Sequence, residues 1–207
     1  MKPRELRHNQ TRQVILKSAL KLILQDGLQR FSLRKLAQQV NYSPAAMYEF
    51  FENKDAILAE LNRHGFSLLA KDLIALPKPK SGLSHLTKLG KAYLQFAAKN
   101  ADLYRFMFSY YPSSKQTLEQ LAKEDESFSI LCAEMDRFIA SDESDSSDRQ
   151  QIVTSLSYSY WSYLHGLSIL PITIIKKYDT DFEKIHEEAL EIFLAGLANS
   201  KAVYKQK

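Results

Sequence analysis

The chain has 207 residues, 45% of them hydrophobic and 25% charged, with a formal net charge of +4, enough for a sizeable core in one or two domains. Its single cysteine, Cys132, excludes an internal disulfide framework and fits a reducing compartment. The opening MKPRELRHNQTRQ has no apolar signal-peptide region, and the longest apolar run, residues 164–175, is interrupted by His165 and Pro171 and too short to span a bilayer, so a cytoplasmic protein with no membrane partner is expected.

The charge is unevenly placed. Residues 1–60 hold ten Lys/Arg against six Asp/Glu, whereas residues 61–207 hold 18 of each. The net positive charge therefore sits at the N-terminal end, as a polyanion-facing lobe would have it. Gly and Pro number six each, and helical spacing of apolar residues dominates the chain. The expected fold is all-α, with about nine helices.

Taken in chain order, Ile15, Ala19, Leu22 and Ile23 make the first apolar stripe, ended by Asp26-Gly27, with Gly27 suited to a left-handed cap. Ser32 caps a short second helix and Ser43-Pro44 a short third one. Asn53 caps a longer fourth helix reaching about Leu76, before the PKPKSG loop. Two helices follow over residues 83–111, with a break near Asn100. One more covers about 114–140, and the SDESDSSD segment at 141–148 is a loop. A long helix runs from about Arg149 towards Ile175, kinked or ended at Pro171. Thr180 and Glu183 have the spacing of a capping box for the last helix, whose stripe is Phe182, Ile185, Ala189, Phe193 and Leu197, widened by Leu190, Ile192 and Leu194.

Residues 32–58, SLRKLAQQVNYSPAAMYEFFENKDAIL, carry the functional signal. Leu33, Leu36 and Val40 bury the second helix, and small Ala37 permits a close crossing. Asn41 falls at a tight turn and tolerates the left-handed conformation. Met47 and Phe51 point inward alongside the Tyr48 ring. The outer face of the third helix is left with Pro44, Ala45, Ala46 and Glu49. Small residues there let the backbone approach base edges, as in a recognition helix lying in the major groove.

In these residues the segment resembles the DNA-binding domain of the TetR family of bacterial transcriptional regulators. The resemblance rests on Arg12, Ile15-Leu16, Ala19-Leu20, Gly27, Ser32-Leu33, Leu36-Ala37, Tyr48, Phe50-Phe51 and Lys54-Asp55-Ala56-Ile57-Leu58. It implies that Ser32, Tyr48 and Lys54 meet phosphate, that Arg34 reaches a base (a guanine being the natural partner for its fork), and that Pro44, Ala45 and Ala46 face bases. Two positions depart from the pattern. Phe50 stands where His is common, and Glu49 either accepts from cytosine or is held away from phosphate. The resemblance further implies a homodimer on a palindromic operator, formed through the last two helices, and a repressor.

Residues 61–207 carry no catalytic or metal-ligand signature, so no enzyme activity, metal or cofactor is expected. Aromatic density stands out instead, in residues 104–111 and again in 158–163. These clusters serve the core and a dimer interface, or part of them lines a cavity for a small, mostly apolar effector. The candidates for such a cavity are Tyr104, Met107, Phe108, Tyr111, Phe128, Tyr158, Trp161 and His165. WSYLHG at 161–166 is similar to a TetR C-terminal subtype with a Trp-x-x-x-His-Gly signature, here Trp161, His165 and Gly166. Mid-helix Gly166 suggests close approach of another helix. The expected domains are 1–55 for DNA and 56–207 for effector binding and dimerisation. Two other readings stay open: a DNA-binding protein controlled by a protein partner, and a helical binding module that has lost DNA binding.

Overall fold

The computed structural model describes residues 3–77, 82–110, 117–139 and 147–204. All regular structure in them is helical: α1 (Pro3–Asp26), a 3-10 turn (Leu28–Arg30), α2 (Leu33–Gln39), α3 (Pro44–Met47), α4 (Lys54–Ile74), α5 (Gly82–Lys99), α6 (Ala101–Met107), α7 (Leu118–Glu124), α8 (Glu126–Ile139), α9 (Ser147–Ile172) and α10 (Phe182–Tyr204). Most of the PKPKSG and SDESDSSD loops falls outside the described residues.

The N-terminal caps form as their residue types dictate. Ser32 Oγ accepts from Lys35 N at 3.3 Å, Ser43 Oγ from Ala46 N at 3.0 Å, and Asn53 Oδ1 from Ala56 N at 2.8 Å. Asn41 takes φ 57° and so turns the chain between α2 and α3. Gly27 has φ 83° with ψ 155°, a region open essentially to glycine alone and not the left-handed helical cap expected.

The expected single helix over 114–140 is two helices. Thr117 and Gln120 close a capping box that starts α7. Asp125 then leaves helical geometry, at φ −93° and ψ 110°, and its Oδ1 accepts from Phe128 N at 2.8 Å, so a competing cap inside the run restarts the chain as α8. This split raises the count from about nine to ten α-helices among the described residues. The last helix also begins differently: Asp181, not Thr180, accepts from Lys184 N, at 3.2 Å. Its buried face is Leu190, Leu194 and Leu197, while Ile185 and Ile192 are exposed.

The chain divides into two compact units. The first comprises residues 1–65 with 102–112, the second residues 66–101 with 113–207. The division expected at residue 55 falls inside the first. In the second, α5 packs on α8, α9 and α10, and α8 packs on α7 and α9. The first unit's core draws Ile15, Leu16, Ala19 and Ile23 from α1, Leu36 and Ala37 from α2, Met47 from α3, Ile57, Leu58 and Leu61 from α4, and Phe106 from α6.

Candidate nucleic-acid interface

The α2–α3 pair is a thin layer held from beneath. Leu36, Ala37 and Met47 are fully buried, with Phe51 close to it. The absence of any group beyond Cβ at Ala37 lets α2 lie against the core, and Met47 anchors a helix only four residues long. Such a helix has no stability of its own; the packed methionine and the Ser43 cap hold it. Tyr48 is not part of that packing: at 60% exposure its ring lies on the surface, contrary to the inward position expected beside Met47.

The outward face follows from this. Arg34, Pro44, Ala45, Tyr48 and Glu49 are exposed, Ala46 is half-buried, and α2 and α3 meet through the Asn41 turn. Ser32 Oγ accepts the α2 cap bond, and its hydroxyl hydrogen can still donate. Lys54 Nζ donates to the Leu28 carbonyl at 3.0 Å and lies 5.8 Å from the Phe31 ring. One of its three N–H donors is thereby used to hold it beside the residue preceding Ser32, and two remain for an anion. Lys35, in contrast, pairs with Asp26 at 2.7 Å. Phe50 is a packing residue, stacked on His8 at 4.8 Å and met edge-on by Tyr42 at 5.9 Å.

Arg12 is the tie that sequence reasoning placed in the family pattern without a role. Its guanidinium forks onto Glu60 of α4, donates to the Phe50 carbonyl at 2.6 Å, and sits 4.3 Å over the Phe51 ring. The hydrogen bond from Arg12 holds the Glu60 carboxyl below its ordinary range, and the same bond raises Arg12. One side chain thus joins α1, α4 and the turn after α3. No sequence signal could have paired residues 48 apart.

A second surprise is α6. Its Phe106 belongs to the core beneath α1–α4, Tyr110 stacks on Phe106 at 6.0 Å, and Asn62 Nδ2 donates to the Met107 and Tyr110 carbonyls at 2.8 and 3.3 Å. At Gly65 a Cβ would meet Met107 Cγ at 2.5 Å, so α4 requires glycine where Met107 crosses it.

The expected effector residues divide between the units. Tyr104, Met107 and Phe108 are in the first, with Tyr104 fully buried and 4.8 Å from the Phe108 ring; Tyr111 lies outside the described residues. In the second, Phe128 and Trp161 meet at 5.2 Å and Trp161 Nε1 donates to Tyr93 Oη at 3.1 Å. His165 is half-buried, with its pKa pushed down by burial, and Tyr158 is 46% exposed. Among the described residues nothing lies within 4 Å of a Cβ placed at Gly166, so no described helix of the same chain makes the close approach expected there.

Residues 15–61 match the profile of bacterial regulatory proteins of the tetR family, and residues 86–195 match that of the tetracyclin repressor-like C-terminal domain. The chain is 29% identical over 94 residues to YobS, an uncharacterized HTH-type transcriptional regulator of Bacillus subtilis, a match spanning 45% of the chain and about half, 49%, of that relative. Among solved structures it is similar to the TetR family regulator PfmR of Thermus thermophilus, with TM-score 0.65 and 20% identity over 87% of the chain and 97% of that protein. It is also similar to the fatty acid degradation regulator FadR of Bacillus halodurans, with TM-score 0.63 and 14% identity over 88% and 94% of the two chains. A third likeness is to a TetR variant of Acinetobacter baumannii in complex with minocycline, with TM-score 0.59 and 15% identity over 91% and 96%.

Proposed function

The chain belongs to the TetR family of bacterial regulatory proteins, and on that premise we propose that it is a cytoplasmic, homodimeric, ligand-responsive repressor that binds a palindromic operator. The observation that carries the reading is the outward face of α2–α3, where exposed Arg34, Pro44, Ala45 and Tyr48 lie over a fully buried Leu36, Ala37 and Met47. Residues 1–55 read the DNA and residues 56–207 bind the effector and a second copy. Ser32, Tyr48 and Lys54 take phosphates, Arg34 reaches a base, and Pro44, Ala45 and Ala46 bring the backbone to the groove, with Glu49 at its edge.

Dimerisation runs through α9 and α10. Leu170, Ile174, Ile185 and Ile192 are exposed at 43, 77, 45 and 73%, and a Cβ at Gly166 or Gly196 would meet nothing within 4 Å. Exposed apolar side chains interspersed with bare glycine positions suit the closely packed helices of a second copy. The spacing of Trp161, His165 and Gly166 supports reading the C-terminal region as the Trp-x-x-x-His-Gly subtype. Effector binding shifts the two α3 helices through α4, the helix that runs from the first unit into the second. Two half-sites about 34–36 Å apart then lose register with the dimer.

Selection of bound sequences from random double-stranded DNA with the purified chain tests this. A palindromic motif whose binding weakens steeply with salt is expected, and no enrichment at low salt would sink it.

A further inference from the structure

We propose that a cavity in the second unit, framed by α5, the end of α9 and the start of α10, binds a neutral, mostly apolar molecule that carries a hydroxyl or amide N–H donor. The inference rests on the reading of the chain as a ligand-responsive regulator, for which it supplies the site and the chemical class of effector.

The cavity measures 540 Å³, within the roughly 300–1,000 Å³ of small-molecule sites. Its walls are apolar, built from Leu94 and Ala98 of α5, Pro171 and Ile172 of α9, and Phe182 of α10. None of the residues expected from the aromatic clusters lines it.

Three uncharged polar side chains interrupt this surface: Gln95, exposed at its edge, and the more deeply set Ser168 and His186. Ser168 is only 4% exposed, and its Oγ has no hydrogen-bond partner among the described residues. A serine in a helix can satisfy itself on the carbonyl one turn back, as Thr154 does on Gln150. Ser168 does not, and a buried unpaired hydroxyl is costly unless something occupies the space before it.

His186 is half-buried; burial lowers its pKa, while a hydrogen bond to the Leu167 carbonyl acts the other way. A neutral ring donating one N–H to that carbonyl keeps its second nitrogen as an acceptor. An acceptor nitrogen and a hydroxyl that can donate or accept, both on residues lining one cavity, suit a ligand that itself donates.

The rim carries Lys91, Lys99, Glu183 and Glu187, and Lys91 is joined to Glu187 at 2.6 Å. Their formal charges sum to zero, so the rim carries no net charge to draw an ion, and a neutral occupant suits it.

The probe is 4-butylphenol, with 4-butylanisole as its counterpart lacking the donor, titrated calorimetrically into the full chain. The phenol binds once per chain and the ether at least fivefold more weakly. Ser168→Ala weakens the phenol about fivefold, the worth of one hydrogen bond. Ala98→Trp, a change at an exposed position on the mouth, abolishes binding with the circular dichroism spectrum unchanged. No phenol binding, or binding indifferent to Ala98→Trp, overturns the site.

Without ligand, Ser168→Ala raises the melting temperature by removing an unpaired hydroxyl; a fall overturns the polar floor. Operator affinity measured in the same samples separates the two readings. Phenol bound without DNA release keeps the site and removes its effector role. Release by a compound that Ala98→Trp leaves unaffected keeps the regulator and removes the site.

Discussion

Every buried polar residue among those described, namely His85, Ser127, Glu134, Thr154, Ser157 and Ser168, lies in the second unit. The described interior of the first unit is apolar and aromatic, and its multiple polar ties, Arg12 with Glu60 and Asn62 with the Met107 and Tyr110 carbonyls, are only part-buried. An apolar interior holds a surface in one shape and asks little of pairing. An interior with buried polar groups is specific about its partners, because each group left unpaired carries a desolvation cost. The contrast suits a rigid reading face on one side and a body that recognises something on the other.

The largest expected effect breaks the first half of that contrast. Met47→Ala empties a fully buried site and removes the only buried side chain of α3. It should cost about 2–5 kcal/mol in denaturant melts and abolish operator binding. If stability holds while binding is lost, α3 forms independently of the core, and the thin-layer picture is wrong.

The second half is tested at His85 and Glu134, whose Nδ1 and Oε2 lie 2.6 Å apart at 4% side-chain exposure each, with Arg137 donating to both Glu134 oxygens at 2.7 and 2.8 Å. Glu134→Ala strands the imidazole and should cost about 1–3 kcal/mol. The double change His85→Leu with Glu134→Leu should recover most of that loss, since an apolar pair of similar volume often equals a buried polar one. Additive losses in the double variant would mean that the pair is not coupled.

Smaller again is Tyr48→Phe. At 60% exposure the hydroxyl contributes nothing to the core, so the melting temperature should not move. Operator affinity should fall by the worth of one hydrogen bond, about 1 kcal/mol, uniformly across DNA sequences. An unchanged affinity would remove Tyr48 from the interface.

The two units were not equally legible in the sequence. Caps at Ser32, Ser43 and Asn53 depend on side chains reaching a backbone N–H three residues on, and the turn at Asn41 on that residue's own tolerance of positive φ, so the N-terminal elements could be read locally. Asp125 broke an otherwise plausible helix because a short carboxylate, which a helix interior tolerates at a small cost, caps a new helix here. The role of Phe106 was hidden for a different reason. Its aromatic cluster looks alike whether it faces one core or another, and only the fold brings α6 beneath α1–α4. The polar floor at Ser168 was equally invisible, since an unpaired hydroxyl is defined by what is not near it.

Acid has the smallest effect and separates the units by pH window. Burial holds the pKa values of His165 and His186 below the ordinary imidazole value, with the Leu167 carbonyl opposing it at His186. A depressed folded pKa means that the unfolded chain binds protons first. The second unit therefore keeps its full stability above about pH 6.5 and loses part of it as pH falls below that value. In the first unit the resolved carboxylate shift is at Glu60, lowered chiefly by the Arg12 hydrogen bond. Its contribution is complete above the ordinary Glu range, about pH 4.3, and is lost only below it. Hydrogen exchange resolved by peptide between pH 7 and 5 should thus show α9 and the start of α10 losing protection while α1–α3 hold theirs, after correction for the intrinsic rate. His165→Gln combined with His186→Gln should flatten the difference. Equal loss in both units, or loss in α1–α3 first, would show that these imidazoles do not set the response and that the contrast in buried polarity has no consequence for acid stability.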